Sequence, residues 1–277
     1  VQRFHSPAFG VVLALASVAL GQQHAEEGAV SRNRLKFMEE TIGSLAATSD
    51  QIKSAADLRF AAKPLLRYSD PTRGMTDQNV LVDATVWRLG ESGRPTGLVT
   101  LELYHTTANS GVLAYEFASL TPVAFSLTHT NQPSIHWKPT GSAITFRALE
   151  GTSAPAKTAA ARLAQMRQLA RRFAVQEIVK GEVIECRLLA QPIDRYQSAQ
   201  DEIEDGAIFA FANGTNPELG LVLEAGKRGW TFGTARLSSA EVIVKLDDRE
   251  VARYERVVNA KLHGDYTSMT EQIELPK

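Results

Sequence analysis

The chain has a single cysteine, Cys186, in 277 residues, which excludes an intramolecular disulfide and any metal site built from several thiolates. It has no excess charge of either sign, because 30 basic against 31 acidic side chains leave a formal net charge of -1. Without a global field there is little to collect a polyanion, so no nucleic-acid partner is expected. Glycine (19) and proline (11) are ordinary in number, and 44% hydrophobic with 22% charged residues describes a folded domain. Long hydrophobic runs are scarce. The most apolar one, Phe9 to Leu20, is twelve residues long, whereas a membrane-spanning helix needs roughly 20. Catalytic signatures are missing too: there is no G-x-S-x-G, H-E-x-x-H, G-x-G-x-x-G, P-loop or S-x-x-K. No cofactor is expected.

What is present begins with an export signal. Arg3 supplies a small positive segment, Phe9 to Leu20 the apolar segment, and Ala19 with Gly21 the small residues of a signal-peptidase site. Residues 1–21 read as a signal peptide, with Gln22 the new terminus and an exported, periplasmic or secreted, location. A cut after Ala25 puts Gln23 three residues before it and fits less well. Cys186 lies in the apolar stretch Val183 to Leu189 and reads as a small buried hydrophobe.

Beyond the leader, Leu35, Met38, Ile42 and Leu45 form one helical stripe. A second helix is expected from about Pro155 to Val179, with Leu163, Met166, Ala170 and Phe173 as its stripe. The two stripes align at a spacing of 128, and nine of the 35 positions from Arg34 to Tyr68 are identical to their counterparts in Arg162 to Tyr196. Further on the spacing becomes 122, matching Asp83 with Asp205, Pro95 with Pro217 and Glu102 with Glu224. It then becomes 117, matching Tyr115, Ala118 and Leu120 with Phe232, Ala235 and Leu237. The changes fall where turn residues predict loops.

Strand patterns follow each helix. Val80 to Leu89 and Ala207 to Ala212 are almost uniformly apolar. Val99, Leu101 and Leu103 alternate with Thr100 and Glu102, a half-buried antiparallel pattern, as do Leu219, Leu221 and Leu223 in the second half. Gly111 to Leu120, Trp230 to Leu237, Ala124 to Thr130, Ile135 to Trp137, Ala143 to Arg147, Val242 to Leu246 and Glu250 to Tyr254 complete the strands. The expected fold is α+β: two tandem homologous halves, each a helix followed by a curled, mainly antiparallel β-sheet. The halves are placed at 22–152 and 153–258, with 259–277 as a C-terminal tail.

Three motifs carry a resemblance. Lys63 to Gly74 (KPLLRYSDPTRG), Leu188 to Tyr196 (LLAQPIDRY) and Asp205 to Phe211 with Gly214 to Glu218 resemble motifs of an uncharacterised family of exported proteins from planctomycete-type bacteria. The resemblance spans roughly Leu58 to Tyr254. It implies export and a single-family architecture, and no activity, cofactor or catalytic residue.

The polar residues repeated once per half are the candidate ligand site: Arg67 and Arg195, Tyr68 and Tyr196, Asp83 and Asp205, Glu102 and Glu224. One reading gathers a carboxylate from each half near a pseudo-twofold axis, to bind a ligand or share a proton. The other pairs each arginine with a carboxylate on the next strand of its own half, with each tyrosine hydroxyl capping a sheet edge. His105, His129 and His136 are weighed as a metal site, although their neighbours suit ordinary rim positions. Lys157, Arg162, Arg167, Arg171 and Arg172 make the second helix basic, which a solvated face explains and an acidic cell-envelope polymer would also suit. No catalytic residue is named. The composite expectation is an exported protein with a non-enzymatic binding or cell-envelope structural role, self-association through a strand edge included. The alternative is a divergent extracytoplasmic hydrolase using carboxylates between the halves.

Overall fold

Strands that are apolar along their whole length have to be covered on both faces. The computed structural model describes residues 27–70, 79–107, 109–141 and 144–277. The expected leader and its cleavage site lie outside the described residues, as does Pro71 to Gly74 of the first motif.

Helix α1 runs over 27–43. After it come β1 (Leu45–Thr48), a 3-10 turn (Ala55–Leu58), β2 (Leu66–Asp70), β3 (Val80–Leu89), β4 (Gly97–Thr107) and β5 (Ser110–Ser119). β6 (Ser126–His129), β7 (Gln132–Trp137) and β8 (Arg147–Ala148) precede helix α2 (Ala159–Ala170). The second series is β9 (Phe173–Val179), β10 (Glu182–Leu188), β11 (Asp194–Ser198), β12 (Ile203–Asn213), β13 (Asn216–Gly226), β14 (Gly229–Arg236), β15 (Glu241–Leu246) and β16 (Arg249–Tyr254), followed by β17 (Tyr266–Glu274). The described strand pairs are antiparallel, so the α+β, mainly antiparallel fold is observed.

The first sheet has the order β17-β5-β4-β3-β2, with β1-β6-β7 as a separate small sheet. The second runs β16-β15-β9-β10-β12-β13-β14-β8, with β11 added on β12. Met38 and Ile42 of α1 pack on Trp87, Leu101 and Tyr115 of the first sheet. Met166 and Ala170 of α2 pack on Phe209, Phe211 and Leu221 of the second. Between the sheets, Leu98 and Leu120 meet Ile208, Val222 and Leu237, and Ile193 packs on Tyr68, Val86 and Ala114. The molecule is therefore layered helix, sheet, sheet, helix, with two packed sheets and no continuous one.

Three expectations need correcting. The predicted helix Pro155 to Val179 is helical only from Ala159 to Ala170, where Thr158 caps it by accepting the Ala161 amide. From Phe173 the chain is strand β9, hydrogen-bonded on both sides by β10 and β15. Leu45 is likewise the first residue of β1. Both stripes thus extended one residue into a strand, because an apolar residue three beyond the last helical contact also starts a period-2 pattern. Second, Thr100 and Glu102 are buried, not solvated, because the other sheet covers that face. Third, Tyr266–Glu274 is not tail but a nine-residue strand paired with β5 from Ala118 to Ser110.

That strand has a counterpart. β8, which follows the first series, pairs with β14 of the second sheet, while β17, which follows the second series, pairs with β5 of the first. Each sheet is finished by a strand from beyond the other. Elsewhere the same backbone bonds recur at the spacings read from the sequence. Leu65 N donates to Val86 O and Ile193 N to Ile208 O. Ala61 N donates to Arg88 O and Leu189 N to Ala210 O; Leu120 N donates to Thr96 O and Leu237 N to Glu218 O. Thr130 N donates to Ser44 O, and Asp247 N to Arg172 O.

Ending the chain at Asp265 removes β17, uncovers the full β5 edge and leaves the Glu116 carboxyl without the Tyr266 hydroxyl. The truncated protein should melt at least about 10 °C lower, since each kcal/mol is worth roughly 2–4 °C in a chain of this size. An unchanged melting temperature by circular dichroism would show β17 to be dispensable.

Candidate functional site

The repeated residues form two kinds of cluster, one on each face of each sheet. On the helix-facing side, Arg67 of β2 forks onto Asp83 of β3, with Nε to Oδ1 at 2.9 Å and Nη2 to Oδ2 at 2.5 Å. The same Nη2 donates to the Ser31 carbonyl of α1 at 2.5 Å. In the second sheet, Arg195 of β11 forks onto Asp205 of β12 at 2.8 and 2.6 Å and donates to the Ala159 carbonyl of α2 at 2.5 Å. Arg162 of α2 adds a third bond to Asp205 at 2.9 Å. Two strands and the start of a helix are thereby tied at one carboxylate. The hydrogen bonds to Asp83 and Asp205 raise the pKa of Arg67 and of Arg195.

The opposite faces look at each other. Tyr68 donates to Glu102 Oε1 at 2.9 Å and Tyr104 to Oε2 at 2.8 Å. Tyr196 donates to Glu224 Oε1 at 2.6 Å, and the guanidinium of Arg94, from the β3–β4 hairpin, forks onto both Glu224 oxygens at 2.7 Å. Burial works against the Arg94 charge, but the bonds to Glu224 and its charge more than offset this and raise the Arg94 pKa. Gly206 is needed here. A Cβ on it would lie 2.3 Å from the Tyr196 ring.

The eight residues therefore do not converge on one site. Asp83 lies under α1 and Asp205 under α2, so the reading that gathers them at an axis between the halves fails. Arginine does pair with the carboxylate of the next strand of its own half. The tyrosines, however, reach past that strand to the glutamate two strands over instead of capping an edge. Both rows are ladder consequences: Tyr68 sits opposite Ala84 and Ala84 opposite Glu102, and Tyr196, Gly206 and Glu224 repeat the row.

Several groups outside the repeat complete the interlayer. Arg88 of β3 reaches Asp194 of β11 at 2.8 Å, with both side chains nearly out of solvent. Burial raises the Asp194 pKa despite that partner. Glu116 of β5 accepts from Tyr266 at 2.9 Å. Burial first, then the charge of Glu102, push its carboxyl well above the ordinary range, with Glu218 adding to the effect and Arg236 opposing it. Burial and the neighbouring glutamates push Tyr68, Tyr104 and Tyr266 upward as well. Arg88, Asp194, Tyr104, Glu116 and Tyr266 lack a like partner in the other half, so a search by repetition passes over them. The signal that would have found them is a charge inside an otherwise apolar strand: Arg88 in β3 and Glu116 in β5.

Among the described residues, no group of three His, Cys, Asp or Glu side chains is placed to hold a metal ion. His129 is buried edge-on to Tyr115 and accepts the Asn131 amide, while His136 sits beside the Pro133 carbonyl. Arg162 of α2 is buried on Asp205, and Arg172, past the end of α2, pairs with Asp247, so two charges of the expected basic face are engaged within the fold. No described helix is long and apolar enough to cross a membrane. No protein-family model matches the chain, and no curated protein or solved structure matches it.

Two outcomes follow from this geometry. Asp205→Ala strands two arginines where Asp83→Ala strands the Arg67 fork, so Asp205→Ala should be the more damaging, costing about 3–5 kcal/mol in urea unfolding. Equal, small losses would contradict the tie between helix and strands. The second concerns pH. Because burial and Glu102 raise its pKa, Glu116 keeps its proton in the folded state above the pH of about 4.3 at which the unfolded chain gives it up. The stability from this group is complete below that value and falls as pH rises through the raised pKa. Glu116→Gln should flatten the decline of unfolding free energy as pH rises above about 4.5, and parallel slopes for variant and parent would refute it.

Proposed function

We propose that the chain is an exported, non-enzymatic protein with a binding or cell-envelope structural role, built from two copies of one α+β unit. The observation that carries the non-enzymatic reading is the fate of the repeated acids. Asp83, Glu102, Asp205 and Glu224 each accept hydrogen bonds from arginine or tyrosine on both carboxylate oxygens. A general base has to lie within hydrogen-bond reach of a substrate proton, and these four carboxylates are buried beneath their own neighbours. Glu224 alone of the four lines a described pocket, one of about 200 Å³, and there Arg94 and Tyr196 already cover it.

Duplication is supported by the recurring backbone bonds and by the arginine forks, whose helix acceptors Ser31 and Ala159 stand at the spacing of 128. Export is supported by the leader pattern and by the motifs that resemble exported proteins of planctomycete-type bacteria.

The purified protein is expected to turn over none of a panel of ester, glycoside, phosphoester and peptide substrates. Turnover that Glu224→Gln or Glu102→Gln abolishes would restore the hydrolase alternative. Expressed with its leader in a Gram-negative host, the protein should be recovered from the periplasm beginning at Gln22 by terminal sequencing. Recovery with an intact leader in the cytoplasm would remove export.

A further inference from the structure

Strands β1 and β9 occupy like positions: each follows its helix by one turn and pairs on one side with the strand of a hairpin, β6 or β15. On the other side β9 is covered by β10, Cys186 opposite Val175 and Ile184 opposite Glu177, with Cys186 entering the core. β1 has no such cover and is the edge of its sheet. The chain that would correspond to β10 coils into the 3-10 turn at Ala55–Leu58 before returning to β3.

What this leaves is a groove of about 600 Å³ between β1 and the stretch from Leu58 to Ala62, floored by Ile42 and Trp87. That volume is in the range of ligand sites. Its walls are backbone edges. Ser44 O accepts from Thr130 N, and alternation along an antiparallel pair then turns the N–H and C=O of Leu45 and Ala47 away from β6. Ala61 N donates to Arg88 O and Arg59 O accepts from Gly90 N, which turns those of Phe60 away from β3. Gly43, Ala46, Ala61 and Ala62 keep the groove shallow in side chains, so another backbone can approach. At the rim Arg59 is engaged by Glu91 at 2.9 and 2.6 Å, and exposed Glu39 supplies a negative charge.

We propose that this groove takes an extended segment of a partner polypeptide as an added β-strand on β1, small or apolar on its inward positions and carrying a basic residue toward Glu39. The occupant of the corresponding place in the second sheet is a strand, and two backbone edges facing one groove suit an extended peptide better than a compact ligand. This deepens the binding role proposed above and rests on it.

The test uses the full chain and a labelled peptide with the sequence of Lys180 to Leu188 (KGEVIECRL), read by fluorescence anisotropy. Saturable binding is expected, weakened at least about tenfold by Ala47→Pro, which removes an outward N–H from an edge strand that tolerates proline, and by Ala62→Trp, which fills the groove. Glu39→Lys should weaken it several-fold. Thermal melting checks that each variant is folded, and two groove variants guard against one failing to fold. No saturable binding, equal binding of a scrambled peptide, or binding unchanged in both groove variants overturns the proposal. Light scattering that finds a dimer dissociated by Ala47→Pro also overturns it and assigns the edge to a second copy of the chain. Mass spectrometry of the peptide separates the two readings: cleavage would sink the non-enzymatic role while leaving strand addition standing, whereas absent binding leaves the turnover result untouched.

Discussion

Two sheets can meet across faces that bear carboxylates only when each acid arrives with its own donors. The inner faces here carry Glu102, Glu116 and Glu224, each at least nine-tenths removed from solvent. An unpaired charge at that depth costs several kcal/mol, and a neutral polar group left without a hydrogen bond still costs about 1–3 kcal/mol. Tyrosines from β2, β4, β11 and β17 and the arginine of the β3–β4 hairpin meet this demand. Two of the ties, Arg94 to Glu224 and Arg88 to Asp194, cross from one sheet to the other. Oily contacts alone would let the layers slide. Directional bonds at fixed ladder positions give the layers one mutual register, the role for which buried ion pairs are best attested.

The same arrangement decides what the interlayer can do chemically. Buried acids with both oxygens engaged offer a substrate proton little access, and burial together with the charge of Glu102 outweighs the opposing Arg236 and makes the Glu116 carboxyl hold its own proton more tightly. Perturbed acids often mark active sites, but they also mark structural networks. Glu116, bonded to Tyr266 in the interlayer, fits the second kind.

Much of the fold was legible in the sequence because it is written in short-range signals. The strands β3, β4, β12 and β13 and their hairpins follow from apolar runs bounded by Gly-, Asn- and Pro-rich turns. The pairing of Arg67 with Asp83 and of Arg195 with Asp205 followed from one rule about neighbouring strands. What escaped depends on long-range placement. Phe173 to Val179 carries both periods, and only the ladders with β10 and β15 choose the strand. Thr100 and Glu102 read as solvated because nothing local says that a second sheet lies over them. Arg94 contacts a glutamate 130 positions away, a distance over which spacing carries no information.

The traded edge strands have a temporal meaning. β5 is laid down with its outer edge bare, and the strand that covers it, β17, comes only after the whole second sheet, Tyr266 pairing with Ala118. Non-local ladders of that span form slowly, since the intervening chain must first be brought together. Until then the first sheet offers an open row of amides and carbonyls to any neighbouring chain. Folding of this molecule is therefore a closing rather than a sequence of finished parts. The first sheet does not reach its final width until the chain has passed through the whole second sheet and returned, which binds the fate of one layer to the other from the outset.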